Sequence, residues 1–392
     1  MPANDVAAAT DPFARVDDRV LRGGSGLKWH AHPADVLPMW VAEMDAAPTP
    51  AVVAAVTDAL QAGNTGYPAG TDFAVAMASF DHDRWGWEFQ PARTVAVADV
   101  MTGIREIIDV VTEPGDPVVL TPPVYGPFMD VVDLAGRTRM DAPLGDDGRL
   151  DFATLDAALA EAARRARGAT VLLLCSPHNP TGVVHTRAEL EQVAALANRH
   201  GARVVVDEIH APLTRPGVAF TPWLTVAGAD AGFSVVSATK GWNLAAFKAA
   251  LVIGGPDAAT DVEAVPELVT HGPSHMGMIA QVAALDAGRG WLDGARVAID
   301  ANFTTLAQLL AMHVPSVTMA PAEATYLAWL DFRATDLGQD PAKVVLDRGR
   351  LALSDGLFFG PGGAGHARLN VATAAHRIEQ AVERIATVVA AS

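Results

Sequence analysis

Phe233-Ser-Val-Val-Ser-Ala-Thr-Lys240-Gly241 reads as a short apolar strand that ends on a lysine. The chain holds only four lysines against 24 arginines, so a mere surface charge at this point would be expected to be arginine. A guanidinium is not deprotonated at usable pH and forms no Schiff base, whereas an amine does. The position therefore asks for an amine at the carboxyl end of a strand, which is where open α/β sheets place their ligands.

Outward from this stretch, short β-like runs alternate with helical ones, the pattern of a parallel-sheet α/β domain. Seven strands are expected, over residues 94–100, 117–121, 137–142, 169–175, 202–207, 233–237 and 249–254. Thr49-Pro50 supplies an N-cap and an N1 proline, and Thr186-Arg-Ala-Glu189 forms a capping box. After about residue 285 the pattern changes to long helices, 294–312 and 376–390, with a few strands such as 325–331. The expected division is a segment 1–45 that joins the smaller domain, a large domain 46–285 and a smaller α+β domain 286–392 built from both chain ends. No repeat and no low-complexity tail is visible.

A 392-residue chain with 50% hydrophobic residues can bury the core of a two-domain enzyme. The formal net charge of −17 argues against a nucleic-acid or anionic-membrane surface. Arg164-Arg165-Ala-Arg167, the one local basic run, ends an alanine-rich helical stretch and reads as its solvated C-terminus. The single cysteine, Cys175, excludes an intramolecular disulfide, fits a reducing cytoplasm and reads as core. The first 20 residues lack a basic region followed by an apolar one, and no apolar run approaches ~18 residues. A cytoplasmic location is expected.

Four further pieces stand at strand ends. In Asp99-Val-Met-Thr-Gly-Ile-Arg105 a strand runs into a helix, and amides near Thr102, Gly103 and Ile104 are placed to hold a phosphate; a glycine is also common in any such turn. Ser176-Pro-His-Asn-Pro-Thr-Gly182 holds Asn179 between prolines, for a directed hydrogen bond or simply for a turn. Val204-Val-Val-Asp-Glu-Ile-His210 puts Asp207 at the end of a buried strand, where an unpaired carboxylate is costly, so Asp207 should face a cation or act as an N-cap. Ser237, Lys240 and Lys248 are spaced to gather around one anion and one aldehyde. Tyr125, in Thr121-Pro-Pro-Val-Tyr-Gly-Pro127, offers a flat ring or core packing. Together these meet the needs of pyridoxal 5′-phosphate: a Schiff-base lysine, an acid for the pyridine nitrogen, phosphate donors and a stacking aromatic. No metal site is expected.

The order of these motifs resembles the fold-type I pyridoxal-phosphate enzymes of the class I/II aminotransferase group, over nearly the whole chain. Within that group, Leu37-Pro-Met-Trp-Val-Ala-Glu-Met-Asp45, Ser176 to Gly182, Asp207-Glu-Ile-His210, Glu323-Ala-Thr-Tyr-Leu-Ala-Trp-Leu-Asp331 and Arg368-Leu-Asn370 are similar to the C–S lyases of the cystathionine β-lyase type. The resemblance implies an α/β fold with a seven-stranded, mostly parallel sheet in the large domain. It implies that Lys240 holds the cofactor and then removes the substrate Cα proton, that Asp207 pairs with the pyridinium N–H, and that His210 lies near the pyridine. Asn179 would donate to the 3′-oxygen and Tyr125 would stack on the ring. Gly103, Ile104, Ser237 and Lys248 would hold the phosphate. Tyr67, in Gly63-Asn-Thr-Gly-Tyr-Pro68, would reach the neighbouring subunit's site, making a homodimer the active unit. Arg368 would clamp the substrate α-carboxylate, while Trp40 and Val41 line the substrate mouth, unless Trp40 is a domain-interface anchor.

The implied reaction passes through an external aldimine and a quinonoid and then divides. Expulsion of a thiolate from Cβ gives a lyase; return of the proton to the cofactor gives an aminotransferase. A dicarboxylate transaminase wants a second arginine, and none stands in these motifs, which favours the lyase. A third reading is a regulatory binding partner with little turnover. Two departures from the group's pattern touch the substrate entrance: His30 follows Lys28-Trp29 where an acidic residue is usual, and Glu43 replaces the commoner aspartate.

Overall fold

The computed structural model describes residues 11–14 and 16–392, so what was expected of residues 1–10 and Arg15 lies outside the described residues. A two-residue strand β1 (Leu37–Pro38) precedes the main sheet. All seven expected strands are present: β2 (Thr94–Val97), β3 (Pro117–Leu120), β4 (Thr138–Asp141), β5 (Thr170–Cys175), β6 (Ala202–Asp207), β7 (Phe233–Val236) and β8 (Ala250–Gly254). They form one sheet in the order β2-β8-β7-β6-β5-β3-β4.

Only β8 runs against its neighbours, pairing antiparallel with both β7 and β2. The chain between β7 and β8 contains no helix, and a parallel return would need a longer crossover. This reversal keeps Lys240 and Lys248 on the edge where β7 ends. The carboxyl ends of β3, β5 and β6 face the same edge, since those strands run parallel to β7.

Both faces of the sheet are covered. On one, the helix Val100–Val111 lays Ile104, Ile107 and Ile108 against Val235 and Val252. On the other, the helices Phe152–Arg165 and Arg187–His200 pack Leu155, Leu159, Leu190 and Val193 onto β5 and β6. That is why β3, β5, β7 and β8 read as continuous apolar runs rather than alternating ones. The expected capping box is formed by Thr186 and Glu189. Thr49 occupies the N-cap position before Pro50, but its side chain is buried and caps nothing. The helix Phe152–Arg165 ends on Arg164 and Arg165, both paired with Glu161. Cys175 is buried, and burial raises its thiol pKa, as suits a core residue.

A second sheet follows, built from β9 (Thr318–Met319), β10 (Leu327–Asp331), β12 (Ser354–Asp355) and β13 (His366–Asn370) in the antiparallel order β12-β13-β10-β9. The helices Arg289–His313 and Ala375–Ala390 belong to the same core. Strand β11 (Leu351–Ala352) pairs in parallel with β1 and fastens the N-terminal segment there. Next to β1, residues 40–45 pass over the carboxyl edge of the main sheet as a strap. Asn370 Nδ2 donates to the carbonyls of Val41 and Glu43 at 2.7 and 2.6 Å. Asp45 accepts from Lys28 Nζ, Trp29 Nε1 and Thr373 Oγ1 at 3.0, 2.7 and 2.7 Å. Among the described residues no helix is long and apolar enough to cross a membrane.

Candidate active site

A cavity of about 180 Å³ opens between the strap and the carboxyl edge of the main sheet. Lys240 stands in its wall, with Asp207 and His210 from the end of β6, Asn179 from the end of β5, and Tyr125 from the turn after β3. The pieces that were far apart in the chain therefore meet because each terminates, or closely follows, a strand of one parallel set.

Lys240 Nζ donates to the carbonyl of Ala42 at 2.9 Å. Burial pulls its pKa down to about 8, and the Arg368 guanidinium acts in the same sense. Asp207 is 4% exposed and accepts one hydrogen bond, from the Ile209 amide at 3.0 Å. Burial pushes its pKa up to about 7. The expected cation is not supplied by an ion pair with any described residue. His210 is buried, its Nδ1 has no partner, and burial followed by the charges of Lys240 and Arg368 lowers its pKa to about 3, so its imidazole is neutral. Burial, with the Asp207 charge behind it, raises the Tyr125 phenol above its usual range.

Arg368, on β13, is 5% exposed, and burial lowers its pKa to about 10, leaving it cationic at neutral pH. Its guanidinium donates to Asn179 Oδ1 at 2.9 Å and to the Trp40 carbonyl and Ser354 Oγ at 3.1 Å each, and its Nε has no partner. It lies 4.9 Å over the Phe359 ring. No described carboxylate pairs with it, so this is a buried cation surrounded by neutral groups, a costly arrangement unless an anion is bound there.

The structure departs from three expectations, while Tyr67 and Lys248 do not conflict with theirs. Gly103 and Ile104 do not present amides to the cavity: Gly103 N–H is spent on the Asp99 carbonyl at 3.0 Å, Ile104 is in the core, and a Cβ on Gly103 would meet Val252, Val235 and Val97. The helix starts three residues earlier, capped by Asp99 Oδ1 on the Thr102 amide at 2.8 Å, so Val100 and Met101 line the cavity. Ser237 is buried, with its hydroxyl donating to the Ala249 carbonyl at 2.8 Å, and Thr239 stands in the cavity wall in its place. Trp40 and Val41 serve through their carbonyls, which hold Arg368 and Asn370, while Ala42 reaches the cavity. Tyr67 is 88% exposed on the surface and is not in the wall of this chain's cavity. Lys248 does line it, and pairs with Asp99 Oδ2 at 2.5 Å. Among the described residues no cluster of three His, Cys, Asp or Glu could hold a metal.

The residues fit pyridoxal phosphate. Asp207 is a buried carboxylate in need of a cationic partner, which a protonated pyridine nitrogen supplies. Lys240 is an amine brought close to neutrality beside it, and Val100, Met101 and Lys248 form a helix N-terminus and a cation for a phosphate. Sequence reasoning missed Ala42, Thr239 and Tyr326. Tyr326 is buried, with its hydroxyl on the Ala42 carbonyl at 2.9 Å.

Glu208 faces away from Asp207, as alternate strand residues do, into a small void shared with Asp81. Its Oε2 and Asp81 Oδ2 have no partners, and burial pushes the Glu208 pKa up to about 8. The folded chain thus keeps a proton that the unfolded chain releases near ~4.3, and this contribution to stability is lost as pH rises through about 8. Glu208→Gln is expected to gain melting temperature relative to wild type steadily as pH rises from ~5 to ~8.5, because only the wild type loses stability over that window. A constant difference would mean that Glu208 is already ionised.

Residues 34–385 match the family model described as aminotransferase class I and II. The chain is 45% identical to a Mycobacterium leprae (strain TN) protein that carries the name of a cystathionine beta-lyase provisionally, with 96% of this chain and 98% of that one covered. It is 32% identical to the cystathionine beta-lyase of Corynebacterium glutamicum over 94% of this chain and 98% of that one. Cystalysin from Treponema denticola, whose crystal structure contains a pyridoxal 5′-phosphate cofactor, superposes with a TM-score of 0.89 at 25% identity, covering 97% of this chain and 99% of that one.

Proposed function

The chain belongs to the class I and II aminotransferases, and from that membership we propose that it is a pyridoxal-phosphate-dependent carbon–sulfur β-lyase that cleaves cystathionine or related cysteine S-conjugates to a thiol, pyruvate and ammonia. The observation that carries the site assignment is the meeting of Lys240, an amine whose pKa is lowered to about 8, with the buried carboxyl of Asp207 in one cavity wall, near the buried cation Arg368, with which no described carboxylate pairs.

When bound, pyridoxal phosphate supplies an electron sink for the charge left on Cα after deprotonation. The protein does the rest. Arg368 takes the substrate α-carboxylate and, being anchored to Asn179, Trp40 and Ser354, fixes its orientation. Asp207 would accept the pyridine N–H of the bound cofactor and hold that proton in place. The Asn179 amide nitrogen, which has no described protein partner, is free to donate to the ring's 3′-oxygen, and neutral His210 adds no charge beside it. Tyr125, in the cavity wall, would cover a face of the cofactor ring. Val100, Met101, Thr239 and Lys248 are the groups available to the phosphate, in place of Gly103, Ile104 and Ser237. Lys240 Nζ takes the Cα proton; the electron pair left on Cα forms the Cα–Cβ double bond as the Cβ–S bond breaks and the sulfur leaves with the pair of that bond, and water hydrolyses the released enamine to pyruvate and ammonia. Apart from Arg368, no arginine among the described residues stands at the cavity to receive a side-chain carboxylate, which supports elimination over dicarboxylate transamination.

The active unit proposed is a cytoplasmic homodimer in which Tyr67 reaches the neighbouring site. The exposure of Tyr67, together with Val53 and Leu60 on the helix Pro50–Gln61, supports an apolar face of this kind. The proposed division into segments 1–45, 46–285 and 286–392 rests on the change from the parallel sheet to the antiparallel one.

Holoenzyme mixed with L-cystathionine, without any 2-oxo acid, is expected to release pyruvate and free thiol in equal amounts over many turnovers. If neither appears while an added 2-oxo acid brings steady product from an amino-acid panel, the chain is an aminotransferase instead.

A further inference from the structure

The carbonyl oxygen of Ala42 accepts two side-chain hydrogen bonds, from Lys240 Nζ and from the Tyr326 hydroxyl, each at 2.9 Å. Ala42 lies 198 residues from Lys240 and 284 from Tyr326, so the three meet only because the strap crosses between the main sheet and the start of β10. We propose that Tyr326 is a positioning residue that governs when Lys240 is free to take a proton, by occupying one lone pair of the oxygen on which the lysine amine rests. The role as base rests on the reaction proposed above; the effect on the amine itself does not.

The hydroxyl is not needed to hold the strap. Asn370 already grips the carbonyls on either side of Ala42, Lys28 Nζ donates to Glu43 O at 3.0 Å, and Asn243 exchanges two bonds with the Met44 backbone. What the hydroxyl adds is local. A carbonyl oxygen has two lone pairs, and a donor on one reduces what the other offers. A hydrogen bond to an ammonium favours its charged form, and a weaker one favours it less. Tyr326 thus acts with burial and with the Arg368 and Lys248 charges to release the neutral amine, against the opposing charges of Glu43 and Asp207. Burial raises the Tyr326 phenol further above its ordinary range, so the O–H stays a donor across the working pH. Neutral His210, whose ring meets the Tyr326 ring edge-on at 6.3 Å, contributes no charge that titrates there.

Tyr326→Phe removes one oxygen and leaves the packing. Two measurements test the proposal. The first is the rate at which holoenzyme exchanges the Cα proton of L-alanine in D2O, a substrate with no leaving group, followed against pH. The acid limb is expected to move upward by roughly 0.5–1 pH unit in Tyr326→Phe, because the freed lone pair strengthens the hold on the ammonium. The second is the pH midpoint for labelling of Lys240 by a neutral amine-reactive reagent in the full-length chain before cofactor loading, read by peptide mass, which is expected to move the same way. A lowered rate at every pH with both midpoints unmoved would assign Tyr326 to packing and overturn the proposal. If the wild type exchanges no α-proton, the proposed reaction fails by itself, and the labelling midpoint alone then decides for or against Tyr326.

Discussion

Lys240→Ala is expected to lose the visible absorbance of the cofactor Schiff base, to yield no cofactor fixed by borohydride, and to lower turnover by at least about 10⁴-fold. Two functions fall together in this variant. The covalent link disappears, and so does the group that takes the Cα proton. The pKa of about 8 sharpens the argument: near pH 7 about one such amine in ten is neutral, against fewer than about one in a thousand for a lysine at its ordinary pKa. The only other lysine at the cavity, Lys248, is tied to Asp99 and does not have this environment. Non-covalent cofactor binding should survive through Asp207 and the phosphate groups. A variant that keeps a borohydride-reducible chromophore would show that the Schiff base is made elsewhere, with Lys248 the first residue to examine.

How much of this was legible in the sequence follows from what each feature depends on. Strands β3, β5, β7 and β8 were visible because both faces of the sheet are covered there, which makes each a bounded apolar run such as Thr170–Cys175, whereas the edge strand β4, Thr138-Arg-Met-Asp141, is largely exposed and carries no such run. Asp207, Asn179 and Lys240 were visible because a polar residue at the end of such a run has few other reasons to be there. The phosphate amides were displaced because the eye falls on Gly103, whereas the helix start is set by Asp99, whose carboxylate caps Thr102; an aspartate three residues before a threonine was the available signal. The fate of Ser237 was not readable at all. Its hydroxyl sits on the Ala249 carbonyl beside Gln281, which arrives on the helix His275–Ala287. The shared Ala42 carbonyl was equally hidden, although Ala42 and Tyr326 both lay within recognised motifs. Motifs locate residues; which side-chain atoms share an acceptor is decided by packing between distant segments.

Arg368→Ala is expected to raise KM for amino-acid substrates by about 100-fold, with a smaller fall in kcat and an unchanged cofactor spectrum. The reasoning starts from the free enzyme. Arg368 is a buried cation whose described partners are all neutral, Asn179, Trp40 O and Ser354, so its desolvation is uncompensated until a carboxylate arrives. An α-carboxylate that forms two N–H···O bonds to it gains a charge-assisted pair in a dry site, beside the Phe359 ring whose centroid lies 4.9 Å from the guanidinium carbon. That interaction exists before and during bond breaking, hence the effect on KM; some loss of kcat follows because a carboxylate that swings also lets the Cα–H drift from Lys240. A matched pair of substrates separates this from general damage to the site. Converting the α-carboxylate to its amide should cost wild type about the same 100-fold and cost the Arg368→Ala enzyme little more, because both changes remove one interaction. If the two losses instead multiply, or KM stays at its wild-type value, Arg368 does not bind the carboxylate.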